Sequence, residues 1–335
     1  ATGNTLHIKA NAKAKNIKNF EHLTFTLNDH ISLNPMLELT DAAGTKNLDW
    51  TKLTVDTRPL TARETKSYAA YTRTLLKNSA GNLDFGTTYT GLREMPKDGS
   101  DFEFTLKTNT DTNLASQVDI TGYRFKNNQT AKYESSDGTH EEAWGGRSII
   151  GNKVENNKLT VTGGTITTAA YGGLVINNKP AATTGDAEKN AVAVTGGTVA
   201  NVYGAQVRTK AGSASENSAK IAGGTVSHVY GASLTAAGAT GRVTKSRVDV
   251  TGGAVTGDVY GGQIADAGAT GSVTESQVDI TGGSVGGNIY GGRTNGSGFA
   301  KDNTVNITGG TLHDVYGGFA QAGKATGNTV NLGTA

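Results

Sequence analysis

The sequence predicts an all-β chain wound as a parallel β-helix. Three observations predict it: a unit of 26 to 32 residues that recurs in tandem, alternating apolar positions within each unit, and glycine pairs at fixed places in it. The stretch VTGGAVTGDVYGGQI, Val250–Ile264, shows the last two features. It recurs as VTGGTITTAAYGG from Val161, VTGGTVANVYGA from Val194, IAGGTVSHVYGA from Ile221, ITGGSVGGNIYGG from Ile280 and ITGGTLHDVYGG from Ile307.

Each unit divides into three short segments. In TKSRVDVTGG, Val248 and Val250 alternate with Arg247 and Asp249, the pattern of a strand with one buried face. The same inward pair appears as Leu159/Val161, Val192/Val194, Val278/Ile280, Val305/Ile307 and Val330/Leu332. A second strand carries Val255 and then Val259-Tyr260, and a third, less regular, follows the second glycine pair, as in Gln263-Ile264 or Ser233-Leu234. Both glycine pairs read as corners, because glycine adopts positive φ without steric cost. One unit cannot bury its own valines, so the units must stack. Helical repeats of similar period are excluded by the absence of any sustained 3.6-residue pattern, and leucine-rich and calcium-binding nonapeptide repeats by the absence of their ladders.

The array is expected to fill residues 116–335. Its first coil is degenerate: SQVDITG at Ser116–Gly122 recurs letter for letter at Ser276–Gly282, but Tyr123 replaces the second glycine and the aromatic is delayed to Trp144. Residues 1–115 carry strand patterns with less glycine (LHIKA, HLTFTL, MLELT, KLTVDT, FEFTL) and read as an irregular portion or cap of the same β-helix. Within them YAAYTRTLLKNSAG, Tyr68–Gly81, fits a short helix or a buried strand equally.

Composition agrees with an elongated repeat. At 335 residues the chain exceeds the roughly 250–300 at which one compact core stops growing, and it holds 47 glycines against 4 prolines. Its 31 basic and 29 acidic residues nearly cancel and are scattered, which gives no electrostatic reason to expect nucleic acid or an anionic membrane. There is no cysteine, so neither disulfides nor thiolate metal sites contribute. No apolar run reaches the length of a membrane helix, and the start ATGNTLHIKA lacks a signal-peptide pattern, so a signal or anchor, if the protein is exported, lies outside this chain.

KAKNIKNFEHLTFTL, Lys13–Leu27, followed by tandem TGGxVxxVYGG units, resembles the passenger region of large Gram-negative autotransporters, the type V secreted surface proteins. The resemblance spans nearly the whole chain and is weakest between Asp41 and Ala115. It implies a right-handed β-helix displayed outside the cell and held to the outer membrane by a C-terminal translocator barrel absent from this chain. It also implies a role in adhesion to a host-cell protein or glycan, adhesion to other bacteria, or self-aggregation.

Catalytic and metal chemistry find little footing. β-Helix polysaccharide lyases and hydrolases need carboxylates clustered as acid and base or as calcium ligands. The best cluster is the outward column Asp249 and Asp279, continued by Asn306 and Asn331 and preceded by Lys220, which reads as a solvated face, with a structural calcium as the alternative. The histidines His7, His22, His30, His140, His228 and His313 have no metal-ligand spacing, no serine-nucleophile motif occurs, and TGGxV lacks the GK[ST] of a phosphate loop. No cofactor and no catalytic residue is expected.

Two candidate binding surfaces remain. Trp144, Tyr171, Tyr203, Tyr230, Tyr260, Tyr290 and Tyr316 occupy one position in successive coils and should stack, either as a structural ladder or as a flat strip for sugars or a protein. Insertions cluster after this aromatic, and the longest, with Asn177, Asn178, Lys179 and Asp186, is the candidate recognition loop. The expected function is non-catalytic adhesion; the alternatives are a polysaccharide lyase or hydrolase, and a spacer that raises a distal binding domain.

Overall fold

The computed structural model describes residues 3–27, 35–57, 59, 68, 71–91, 93–94, 102–124, 127–177 and 184–333. The chain is nearly all-β, 54% strand and 3% helix, and its strands stack in parallel as successive turns of a β-solenoid. It divides into two units, Ala1–Arg124 and Phe125–Ala335.

In the second unit each coil contributes one strand to each of three sheets. The first sheet stacks Thr130–Tyr133, Lys158–Val161, Ala191–Val194, Ser218–Ile221, Arg247–Val250, Gln277–Ile280, Thr304–Ile307 and Thr329–Leu332, all parallel and without register shifts. Of the inward residues the alternation predicts, Leu159, Val161, Val192, Val194, Val248, Val250, Val278, Ile280 and Val305 are fully buried or nearly so, whereas Val330 and Leu332, on the last strand with no described coil beyond it, are exposed. Burying each such side chain contributes about 1.5–3 kcal/mol, available only when coils lie above and below.

The second sheet is built mainly from long strands such as Thr165–Val175, Thr198–Val207 and Thr225–Leu234. In the next coils the strand breaks into Ala254–Val255 with Val259–Ile264, and Ser284–Val285 with Ile289–Thr294. The third sheet consists of short strands, among them Val154–Glu155, Ala187–Glu188, Val243–Thr244 and Val273–Thr274. Gln263-Ile264 and Ser233-Leu234, expected as the third strand, therefore end the second; the third lies beyond the next loop.

The glycine pairs do two different jobs. The first pair is a corner: its second member is left-handed in every copy, from Gly164 (φ 76°) and Gly197 (φ 84°) to Gly310 (φ 93°). The second pair, expected as another corner, lies inside the second strand without positive φ. It is small because the opposite wall is close: a Cβ on Gly172 would sit 2.6 Å from the backbone carbonyl carbon of Ala191, and one on Gly204 2.7 Å from the backbone of Ser218.

The remaining turn uses no glycine until the last coil. Asn156, Lys189, Glu216, Lys245, Glu275 and Asp302 all have φ between 51° and 57°, and each precedes a buried polar residue: Asn157, Asn190, Asn217, Ser246, Ser276 and Asn303. The asparagines form an internal ladder, interrupted at Ser246 and Ser276 and continued by Asn328. The side-chain amide of Asn157 donates to Asn190 Oδ1 (3.1 Å), that of Asn190 to Asn217 Oδ1 (3.0 Å), and that of Asn303 to Asn328 Oδ1 (2.9 Å). Backbone groups that the turn would otherwise bury unpaired are satisfied by it, as where Asn190 Nδ2 donates to the Val154 carbonyl (2.9 Å).

In the first unit, Thr5–Ile8, His22–Thr26 and Leu53–Asp56 pair in parallel, as do Ala12–Ala14, Leu37–Leu39 and Tyr71–Asn78. Phe25, Leu27, Trp50, Leu53, Leu75, Leu83 and Val118 are among its core, with Trp50 edge-on to Phe85 at 5.2 Å between ring centroids. The Tyr68–Gly81 stretch holds a strand, Tyr71–Asn78, and not a helix. A bulge opposite Val118/Asp119 lets the consecutive Leu75 and Leu76 both be buried, which produced the helix-like pattern.

The boundary between the units lies after Arg124, and Ser116–Gly122 is not a coil of the array. Gln117–Arg124 pairs antiparallel with both Tyr71–Asn78 and Phe102–Thr108. With Tyr123 where the corner glycine stands elsewhere, the strand runs straight on, whereas Gln277–Ile280 stops and Gly283 turns with φ 78°. The degenerate coil begins instead at Thr130. There Tyr133 lies level with Val161, fully buried, and its hydroxyl bonds the Gly138 and Thr165 carbonyls at 3.1 Å each, while a 3-10 turn at Ser135–Asp137 replaces the TGG corner.

Candidate functional site: the aromatic column

The second sheet places the aromatic residues level with one another. Trp144 pairs with Tyr171, Tyr171 with Tyr203, Tyr203 with Tyr230, Tyr230 with Tyr260, Tyr260 with Tyr290, and Tyr290 with Tyr316. Successive tyrosine rings lie 5.4, 4.5, 4.9, 5.2 and 5.0 Å apart, within 15° of parallel. Parallel pairing in register sets this spacing, since neighbouring strands are about 4.8 Å apart. The column lies in mid-strand, before the second glycine or Gly-Ala pair, and not at a corner.

Most of it is covered. Tyr171 is 1% exposed, Tyr260 4% and Tyr290 7%, whereas Tyr316, on the last coil, is 37% exposed. Burial pushes the phenols of Tyr171, Tyr203, Tyr230 and Tyr260 above their ordinary range, reinforced by Glu142 beside Tyr171, by Tyr203 beside Tyr230 and by Asp258 beside Tyr260. The hydroxyls are held by polar neighbours. Tyr171 donates to Glu142 Oε1 (3.2 Å) and accepts from Arg208 (3.0 Å); Tyr260 donates to Asp258 (2.7 Å) and accepts from Arg293 (3.3 Å).

Beside the rings runs a second column, Gln206, Ser233, Gln263, Arg293 and Phe319. The Arg293 guanidinium packs against three rings, 5.1 Å from Tyr290, 5.5 Å from Phe319 and 5.8 Å from Tyr260. Arg147 similarly lies 4.7 Å over Trp144. Arg147 and Arg293 stand at the same place in the repeat, three residues after the aromatic, where the other coils carry Leu174, Gln206, Ser233, Gln263 and Phe319.

Of the candidate loop, Asn177 is half-buried and bridges to Ile150, and Asp186 is exposed and accepts the Ser213 N–H at 2.8 Å. Asn178 and Lys179 lie outside the described residues. The carboxylate column forms as expected: Lys220, Asp249, Asp279, Asn306 and Asn331 are mutually level. Arg247 bridges Asp249 (2.7 Å) and Asp279 (2.8 Å), while Gln277 and Asn306 donate to Asp279, so these groups compensate the stacked like charges. Among the described residues, no group of three or more His, Asp and Glu side chains is placed to hold a metal ion.

The geometry defines a tyrosine-laddered parallel β-helix. Compared with protein-family models, curated proteins and solved structures, the chain gives no significant match.

Proposed function

We propose that this chain is a non-catalytic, surface-displayed passenger of the autotransporter kind, acting in adhesion to host cells, to other bacteria or to itself. The observation that carries this reading is the contrast between a uniform scaffold and unequal excursions from it. The first sheet keeps register through eight strands, while the segments joining the second strand to the third differ in length, from residues 321–323 to residues 176–186. A rigid stack that carries variable loops on one edge suits recognition. The resemblance of Lys13–Leu27 and of the TGGxVxxVYGG units to such passengers supports the same reading.

The test is a binding screen of the purified chain against a glycan array, host-cell surfaces and bacterial cells, with calcium and with chelator. Saturable binding lost on replacing residues 178–183 assigns recognition to that loop, and binding that survives assigns it elsewhere on the chain. The burial of the tyrosine rings favours a second reading, a spacer, in which the purified chain binds nothing and coils can be deleted without loss of adhesion by the whole protein.

A further inference from the structure

The first unit holds a groove that the repeat does not explain. Two of its turns carry a Lys-Asn pair followed by a large apolar residue, Lys18-Asn19-Phe20 and Lys46-Asn47-Leu48, with both asparagines left-handed at φ 63° and 61°. These residues line a cavity of about 470 Å³ together with Asn16, Asp41 and Gly44 among others. A second depression of about 430 Å³ shares Gly44 and Lys46 with it and extends past Asn82. Cavities of this size hold small ligands.

The floor and the rim of the groove differ. On the floor, the Asn16 amide donates to Asp41 Oδ2 (2.7 Å) and the Gly44 carbonyl (3.2 Å), and its oxygen accepts from Thr45 Oγ1 (2.9 Å) and the Ile17 N–H (2.8 Å). The Ala43 N–H occupies Asp41 Oδ1 (3.1 Å). Asn16 and that backbone bond hold the Asp41 carboxyl below its ordinary range. At the rim, Lys18 and Lys46 are exposed, and neither makes an ion pair or hydrogen bond to the described residues. Phe20 stands at the same rim with 41% of its surface in water.

We propose that this groove binds an acidic oligosaccharide, one bearing carboxylate or sulfate groups. The Phe20 ring offers a platform for the C–H face of a pyranose, Lys18 and Lys46 supply point charges for two anionic substituents, and the exposed Asn19 and Asn47 amides can bond hydroxyls. Asp41 opposes an anion, but its oxygens are already bonded, and Lys18 and Lys46 outnumber it in the first cavity, while Asp84 lines the second depression and confines the anion to the first. The choice of a saccharide rests on the adhesion reading above; the charge and shape of the groove do not.

The experiment is calorimetric titration of the full chain with a sulfated tetrasaccharide and its desulfated counterpart, on wild type, K18A/K46A, K18R/K46R and F20A. The expected result is saturable binding of the sulfated form, weakening with added salt. K18A/K46A should lose about tenfold or more in affinity, K18R/K46R should recover most of it, and F20A should lose a few-fold, all with unchanged circular dichroism. Undiminished affinity in K18A/K46A, equal affinity for the desulfated sugar, tighter binding of a polyglutamate peptide, or no binding would each overturn the proposal. Adhesion of cells displaying the chain is scored separately. Saccharide binding without adhesion would leave the groove standing and remove the adhesion reading; adhesion without saccharide binding would do the reverse.

Discussion

Asn190 and Asn217, one coil apart, are joined twice: both the backbone N–H of Asn190 (2.9 Å) and its side-chain amide (3.0 Å) donate to Asn217 Oδ1. Asn217 in turn donates to the Ala187 carbonyl at 2.9 Å, so one side chain holds both ends of the Ala187–Asn190 turn in the preceding coil. Replacing Asn217 by Ala leaves the Asn190 N–H and amide and the Ala187 carbonyl buried without these partners. The expected cost is about 3 kcal/mol, read from denaturant unfolding, with Asn217→Ser losing less. A change under about 0.5 kcal/mol would show that the ladder is a by-product of stacking.

Ser246 and Ser276 interrupt that ladder. Their hydroxyls reach only carbonyls two residues back, at 3.5 Å. Ala205 sits level with Ala232 and leaves room for Asn217 in its own coil, so Ala232 should likewise leave room for an asparagine at 246. Ser246→Asn should therefore restore the Asn217 contact and stabilise by about 1 kcal/mol. A lowered thermal midpoint would mean that the coil is too narrow there.

Gly204 tests the closeness of the two walls. An added Cβ would meet the Gly231 carbonyl oxygen and lie 2.7 Å from the Ser218 backbone, neither of which can rotate away. Gly204→Ala should cost about 3 kcal/mol, although the next residue is already Ala205. Side-by-side thermal melts of wild type and variant would check this, and an unchanged midpoint would count against the packing argument.

The tyrosines make stability depend on alkaline pH. In the unfolded chain they titrate near 10.0, while burial keeps the phenols of Tyr171, Tyr203, Tyr230 and Tyr260 protonated to higher pH in the fold. Above the unfolded value the unfolded state therefore binds fewer protons than the native state, so stability is whole below pH 10 and falls as pH rises beyond it. Tyrosinate absorbance and strand circular dichroism, followed together, should include a component that changes in step with unfolding. Full ionisation of these tyrosines with the dichroism intact would contradict the burial.

What could be read in the sequence and what could not divides along periodicity. Val248 and Val250 alternate, and Tyr171, Tyr203, Tyr230, Tyr260, Tyr290 and Tyr316 recur in one register, so the parallel coils and their aromatic column were legible. The buried ladder was not, because Asn157, Asn190 and Asn217 are polar letters among many, and only the left-handed residue before each marks the turn. The identical SQVDITG segments at Ser116 and Ser276 fold into different pairings because strand direction depends on neighbours distant in sequence, which no local pattern encodes. The rim of the groove was missed for a related reason: Lys18 and Lys46 stand 28 residues apart and meet only when two turns stack.

The parallel pairing of the coils also decides how the second unit should carry a load. Its inter-strand hydrogen bonds point along the direction in which coils stack, so tension along that direction loads successive coils in series and opens the weakest one first. A released coil of about 30 residues would lengthen from about 4.8 Å to roughly 100 Å. Under pulling the unit should therefore yield by peeling one coil at a time, a sacrificial tether that dissipates force while the remaining coils stay folded.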